Sequence, residues 1–232
     1  QRGEVTFLPV ANPKASRQNT REGDRNFNRD LRERPQPVDN EDRLGNRLSA
    51  ILRQHDMLLD VHSFTGEGVP FVFFGPDDNR GTLEPFRHGA AEAAFAACLG
   101  VDLMIHGWLD IYVRLIAARE RLNLPRLAVT EGFGTTEFMR FAGGYGVTLE
   151  CGRHEDPASV DVGYKAIRNV LAHLGLTDEA PPAAEKRVAP FTMVQSPPLS
   201  AVPQLPVLLR PKVSAATGPG VALAVTSLLF ES

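Results

Sequence analysis

Only two cysteines, Cys98 and Cys151, occur in this sequence, each inside an apolar stretch. Two thiols so placed exclude a disulfide framework and a cysteine-rich zinc site, and they read as reduced, buried side chains. No run approaches the roughly 18 uninterrupted apolar residues that a membrane-spanning helix requires. The opening residues QRGEV lack the basic-then-apolar plan of a signal peptide. Basic residues are not in excess either. Against 28 Asp and Glu stand 25 Lys and Arg, a formal net charge of -3 with a pI near 6.1. Nothing draws the chain as a whole to nucleic acid or to a membrane surface, so an anionic ligand has to be caught by a local cluster. These absences predict a soluble, cytoplasmic protein with no nucleic-acid and no membrane partner. No initiator methionine precedes Gln1, and the chain runs almost at once into a strand-like segment, Val5 to Val10, which predicts further residues upstream.

What is present suits a sizeable core: 232 residues, 43% hydrophobic and 23% charged, enough for one domain with a small appendage. A polar, arginine-rich loop runs from Asn12 to about Asn40, too long to be idle. Leu44, Leu48, Ile51 and Leu52 repeat at helical spacing behind Asp39 and Asn40 and predict a helix over 41–54. Met57 to Val61 reads as a buried strand that delivers Asp60, His62 and Ser63 at its C-terminal end. Phe71 to Phe74 predicts a further strand, and the alanine-rich Pro85 to Leu99 a core helix closed by Gly100. Tyr145 to Leu149 predicts a strand ending at Glu150. Asp156, Pro157, Val160, Tyr164, Ile167, Leu171, Leu174 and Gly175 mark a capped helix with its stop signal. Alternation of strand and helix implies an α/β domain, a mixed, largely parallel sheet between helices. Composition shifts near Thr177. Residues 1–178 are therefore assigned to the main domain, and 179–232 to a proline-rich junction and a small β-rich domain with strands at Val188 to Val194, Pro206 to Leu209 and Val221 to Phe230.

Three segments could carry chemistry. The loop gathers Asn12-Pro13-Lys14-Ala15, Thr20-Arg21 and Asp24 to Arg29. Guanidinium groups match carboxylates bidentately, so Asn28 and Arg29 could anchor one while Arg21 polarises a carbonyl. The alternative is a solvated loop whose arginines pair with Asp24, Asp30 and Glu33. His62 follows Asp60 by two residues, on the same face of a strand; the pair is either a metal ligand with its support or a structural hydrogen bond. Glu150 ends an apolar strand before Gly152. Partial desolvation would raise its pKa into the range of a general base, and the plainer reading is a strand-capping glutamate. Trp108, Glu137, Arg140 and His154 are explained as well by packing and surface pairing.

Taken in this order and spacing, Asn12-Pro13-Lys14-Ala15, Asn28-Arg29, Asp60-Val61-His62 and Thr148-Leu149-Glu150-Cys151-Gly152 resemble the succinylglutamate desuccinylase/aspartoacylase family. The resemblance runs from about Val5 through Leu176. It implies a zinc carboxypeptidase-like fold and zinc-dependent hydrolysis of the amide bond of a small N-acyl amino acid, with a β-rich C-terminal domain. It also implies roles: His62 as third zinc ligand, Glu150 as the base that activates water, Arg21 as the oxyanion stabiliser, Asn28 and Arg29 as the substrate-carboxylate pair, and Asp60 supporting His62. The His-x-x-Glu motif that supplies the family's first two zinc ligands is absent from this sequence. Two expectations follow: a hydrolase whose remaining ligands lie upstream of Gln1, or a metal-free carboxylate-binding or regulatory protein on the same scaffold. The acyl group stays open between succinyl, acetyl and aspartyl-like, and so does a homo-oligomer built through the tail.

Overall fold

The computed structural model describes residues 3–180, 191–192 and 226–231. Seven strands form one mixed sheet in the order β1-β7-β2-β5-β3-β4-β6. They are β1 Glu4–Leu8, β2 Met57–Phe64, β3 Phe71–Phe73, β4 Leu103–His106, β5 Tyr145–Arg153, β6 Phe191–Thr192 and β7 Thr226–Glu231. β2 runs parallel to β5, and β3 and β6 run parallel to β4. Antiparallel joints link β3 to β5 and place β7 between β1 and β2. The expected α/β class, the mixed sheet and helices on both of its faces are all present.

Alternation along β2 and β5 decides what lies on each side. Leu59, Val147, Leu149 and Cys151 point to one face and pack against Phe95, Ala96, Ala166 and Val170. These belong to helices α3 (Gly89–Cys98) and α6 (Ala158–His173). The opposite face buries Leu58 against Leu48, Leu52, Phe138 and Met139, from α2 (Asn40–Leu52) and α5 (Thr135–Phe141). On this second face the apolar series along the strands gives way to Asp60 and His62, paired in register with Thr148 and Glu150. A parallel strand pair thus brings four polar side chains together at its C-terminal end, where α/β sheets place their ligands.

Several elements start or stop for local reasons the sequence shows only in part. β1 ends at Leu8 because Pro9 has no N–H to donate. The long loop contains a short helix, α1 (Pro13–Gln18), with Pro13 at its first turn and the Asn12 side chain accepting from the Ala15 N–H. α3 begins at Gly89 rather than at Pro85, because a two-way backbone bridge between Asn79 and Phe86 holds the preceding residues in a turn. α6 begins at Ala158, with Pro157 at the cap position and Asp156 Oδ1 accepting from Ala158 N. β5 continues past Glu150 to Arg153 and passes through Gly152 at φ +116°, where a Cβ would meet Ser159 Oγ at 2.9 Å. β4, α4 (Trp108–Arg121), a 3-10 turn (Val129–Gly132) and α5 were not anticipated. Of the tail, β6 and β7 pair within the main sheet, while Pro206 to Leu209 and most of 179–232 lie outside the described residues. Among the described residues no helix is long and apolar enough to cross a membrane.

Candidate active site

His62 sits near the end of β2 beside Asp60, its Nε2 2.9 Å from Asp60 Oδ2. The two form a buried ion-pair contact. Asp60 is fully buried, and the Thr135 hydroxyl donates to its Oδ2 from the N-terminus of α5. Burial alone would lower the His62 pKa, but the Asp60 carboxylate, with Glu150 behind it, outweighs that and raises it. Glu150 lies opposite His62 in the parallel register. Its side chain is half-buried, yet Oε2 is enclosed and has no hydrogen-bond partner. Burial pushes the Glu150 carboxyl up to about 7, against the pull of His62 and with the help of Asp60.

The arginine-rich loop is pinned to this sheet end by two acidic residues in the first turn of α2. Glu41, 1% exposed, accepts from Asn12 Nδ2 at 2.7 Å, from the backbone N–H of Gly23 and Asp24 at 3.0 Å each, and from Arg25 N at 3.3 Å. Burial alone would raise its pKa, but these donors, Asn12 foremost, hold it below the usual carboxylate range. A Cβ at Gly23 would lie 2.4 Å from Glu41 Oε1, so any larger residue there would push this buried carboxylate aside. Asp42 takes Arg25 at 2.6 Å and Arg34 at 2.5 Å, and Asp30 takes Arg32 and Arg34.

These pairings divide the arginines of the loop into two sets. Arg25, Arg32 and Arg34 are spent on carboxylates, whereas among the described residues Arg21 and Arg29 form no ion pair, and both line the same cleft as His62 and Glu150. Arg29 lies over the Trp108 ring, 5.2 Å from its centroid, and donates to the Asn28 backbone oxygen. Asn28 Oδ1 accepts from Thr135 N at 3.0 Å, which leaves its Nδ2 as the end available to a ligand. The cleft has a cavity volume of about 90 Å³ and opens to solvent at its mouth. The structure thus brings Arg21, Asn28, Arg29, His62 and Glu150 to one cleft.

Compared by sequence, no family model and no curated protein matches the chain. Compared by structure, a product-bound form of the ectoine utilization protein EutE (DoeB) from Ruegeria pomeroyi superposes with a TM-score of 0.59 at 22% identity, covering 81% of this chain and 51% of that one. A succinylglutamate desuccinylase/aspartoacylase from Rhodobacter sphaeroides gives 0.55 at 20% identity over 75% and 46%. The succinylglutamate desuccinylase of Chromobacterium violaceum gives 0.51 at 16% identity over 96% and 72%. The chain has the fold of succinylglutamate desuccinylase/aspartoacylase structures. It spans about half the length of the first two.

On this desuccinylase/aspartoacylase fold, further residues line the cleft that the sequence reading set aside: Trp108, Glu137 and Arg140, with Phe73, Phe74 and Thr148. Trp108 Nε1 donates to Gly132 O at 2.8 Å, which fixes the ring under Arg29. Arg140 is buried against Glu84, Glu92 and Glu137 at 2.8, 2.9 and 3.3 Å. A signal for this cluster was present: Glu92 is a lone carboxylate in an alanine-rich stretch, and a charge that enters a core needs a partner. His154 stays out of the cleft lining and bonds Ser63 Oγ through Nδ1 at 2.6 Å. Among the described residues no group of three or more His, Cys, Asp or Glu could hold a metal ion. His62 offers one imidazole ligand position, held beside the Asp60 carboxylate. The described residues do not complete the three-ligand set a catalytic zinc uses.

Burial, with Glu137 and Glu92 adding to it, pushes Glu84 up to about 7 despite Arg140. Its folded pKa lies above the ordinary value of 4.5, so the folded state keeps this proton longer than the unfolded chain. Stability linked to Glu84 is therefore fully present below that ordinary value and falls as pH rises towards the folded pKa, by roughly 3 kcal/mol at full ionisation. Glu84→Gln is expected to melt with the wild type near about pH 5 and several degrees above it near about pH 8. A variant that melts below the wild type at the higher pH would show that the cluster needs this charge.

Proposed function

We propose that the chain is the substrate-anchoring part and general base of a zinc-dependent hydrolase that cleaves the amide bond of a small N-acyl amino acid. The observation that carries this reading is the pair of unspent guanidinium groups, Arg21 and Arg29, facing a carboxylate whose Oε2 has no partner. Arg29 and the Asn28 Nδ2 bind the substrate carboxylate and set the position of the neighbouring amide. Arg21 donates to the amide carbonyl and stabilises the negative charge that builds on its oxygen as water attacks. Glu150 takes one proton from that water and passes it to the departing amine nitrogen, so C–N cleavage leaves a carboxylic acid and a neutral amine, and the acid's remaining proton then passes to the amine, giving carboxylate and ammonium. Its raised pKa suits both halves of the transfer near neutral pH. Zinc, when bound, supplies the Lewis acidity that makes water a competent nucleophile near neutral pH. His62 would hold it, oriented by Asp60, with the remaining donors supplied from outside the described residues.

Arg29→Ala is the direct test. Losing a charge-assisted pair is expected to weaken substrate or product binding about 10–100-fold, with a smaller change in kcat. Equal and small effects on both parameters would contradict the assignment. The second reading, a carboxylate-binding protein without turnover, draws on the single ligand position at His62. It predicts the same binding loss with no hydrolysis and no zinc in the full-length protein, so zinc stoichiometry separates the two.

A further inference from the structure

Two cavities meet at Phe74, Trp108 and Arg140. One is the cleft that holds Arg21, Arg29 and Glu150; the other runs past Asp77, Glu84 and Asp110 and, among the described residues, has no Lys or Arg besides Arg140. Arg140 is not available to a ligand. A guanidinium has five N–H groups, and here each is occupied. Nη1 donates to Glu84 and Glu137, Nη2 to Glu92 and the Gly146 carbonyl, and Nε to Glu92. Three buried or nearly buried carboxylates therefore face one cation, and the wall they form carries an excess of negative charge. The upward displacement of Glu84, due to burial and then to its acidic neighbours, is a local symptom of that excess.

We propose that this wall restricts the cleft to substrates with a single carboxylate: Arg29 receives it, and the part of the substrate lying against Phe74, Trp108 and Arg140 is uncharged. The inference rests on the amide-hydrolase reading above and narrows it to N-acyl amino acids of the acetyl-alanine kind. A second carboxylate, on the acyl group or on the amino-acid side chain, meets Glu137 and Glu84 with no donor left on Arg140 to receive it. Like charges brought together in a partly desolvated site are strongly disfavoured. Arg21 is the other unspent cation, and the amide carbonyl claims it.

Calorimetric titration of the full chain near about pH 8, where Glu84 is largely ionised, with N-acetyl-L-alanine, N-succinyl-L-alanine and N-acetyl-L-aspartate tests this. Both dicarboxylates are expected to bind about tenfold or more weakly than N-acetyl-L-alanine, and Glu84→Gln is expected to narrow the gap a few-fold. Equal or tighter binding of either dicarboxylate overturns the proposal, and so does a gap that neither Glu84→Gln nor Glu137→Gln moves. Failure of Arg29→Ala to weaken N-acetyl-L-alanine, or no binding of any probe, is a different result. It removes the carboxylate anchor itself, and the proposed function falls with it.

Discussion

Replacing Glu150 by glutamine is expected to lower kcat about 10³-fold while leaving the dissociation constant of the substrate nearly unchanged. Glutamine keeps the shape of the side chain and its place at the end of β5, opposite His62, but it can neither accept the proton from water nor return one to the leaving nitrogen. The loss therefore falls on the chemical step alone. Because Oε2 makes no hydrogen bond to the protein, little of the fold depends on the carboxylate, and the melting temperature is expected to hold or rise slightly as a desolvated charge is removed. Steady-state kinetics on the full-length protein, with product binding measured alongside, gives both numbers. A kcat within tenfold of wild type would remove Glu150 from the mechanism, and a matching loss of binding would make it a structural residue.

The second large effect concerns stability. Arg140→Met is expected to destabilise the fold by about 3–5 kcal/mol, which lowers the melting temperature of a domain of this size by roughly 10 °C. Methionine fills much of the volume of the arginine stem, so lost packing is not the cause. Removing the guanidinium leaves Glu92, wholly buried, without its ion pair and with only the N–H groups of Gly75 and Gly146. The Gly146 carbonyl also loses a donor. Urea unfolding of the two proteins decides it: a midpoint equal to wild type would mean that the three carboxylates take up protons at little cost, and Arg140 would then be a lining residue only. Arg140→Met and Glu84→Gln act on opposite sides of one charge balance, so their effects near about pH 8 should have opposite signs.

Much of this arrangement is legible in the sequence, because it follows from neighbours along the chain. Period-two alternation places Asp60 and His62 on one face of β2. The α2 helix is announced by Asp39 and its leucines, and α6 by Asp156, Pro157 and Gly175, where the chain turns at φ +66°. The site residues came from spacing set against a known family, and all five share one cleft. What could not be read depends on residues far apart in the chain. Whether a given arginine of the loop is spent or free is decided by Asp42 and Asp30, and nothing local distinguishes Arg25 from Arg29. Glu41 looks like an ordinary helix-start acid until residues 12 and 23–25 fold over it. Glu92 and Arg140 are 48 positions apart, and α5 between the 3-10 turn and β5 is only seven residues long, too short for periodicity to declare itself.

The placing of β7 between β1 and β2 sets an order of assembly. β1 has no partner among the described strands except β7, and nearly the whole chain separates the two. The β2–β5 pair and its flanking helices close over shorter loops and can form first. β1 must wait for a segment near the far end of the chain, and closing so long a loop is slow. The arginine-bearing loop follows directly from β1, so its N-terminal tether is secured only in that last step. During synthesis, Glu41 and Asp42 of α2 can therefore gather the loop around Arg21 and Arg29 early, and only its β1 end stays open until the rest of the sheet has formed.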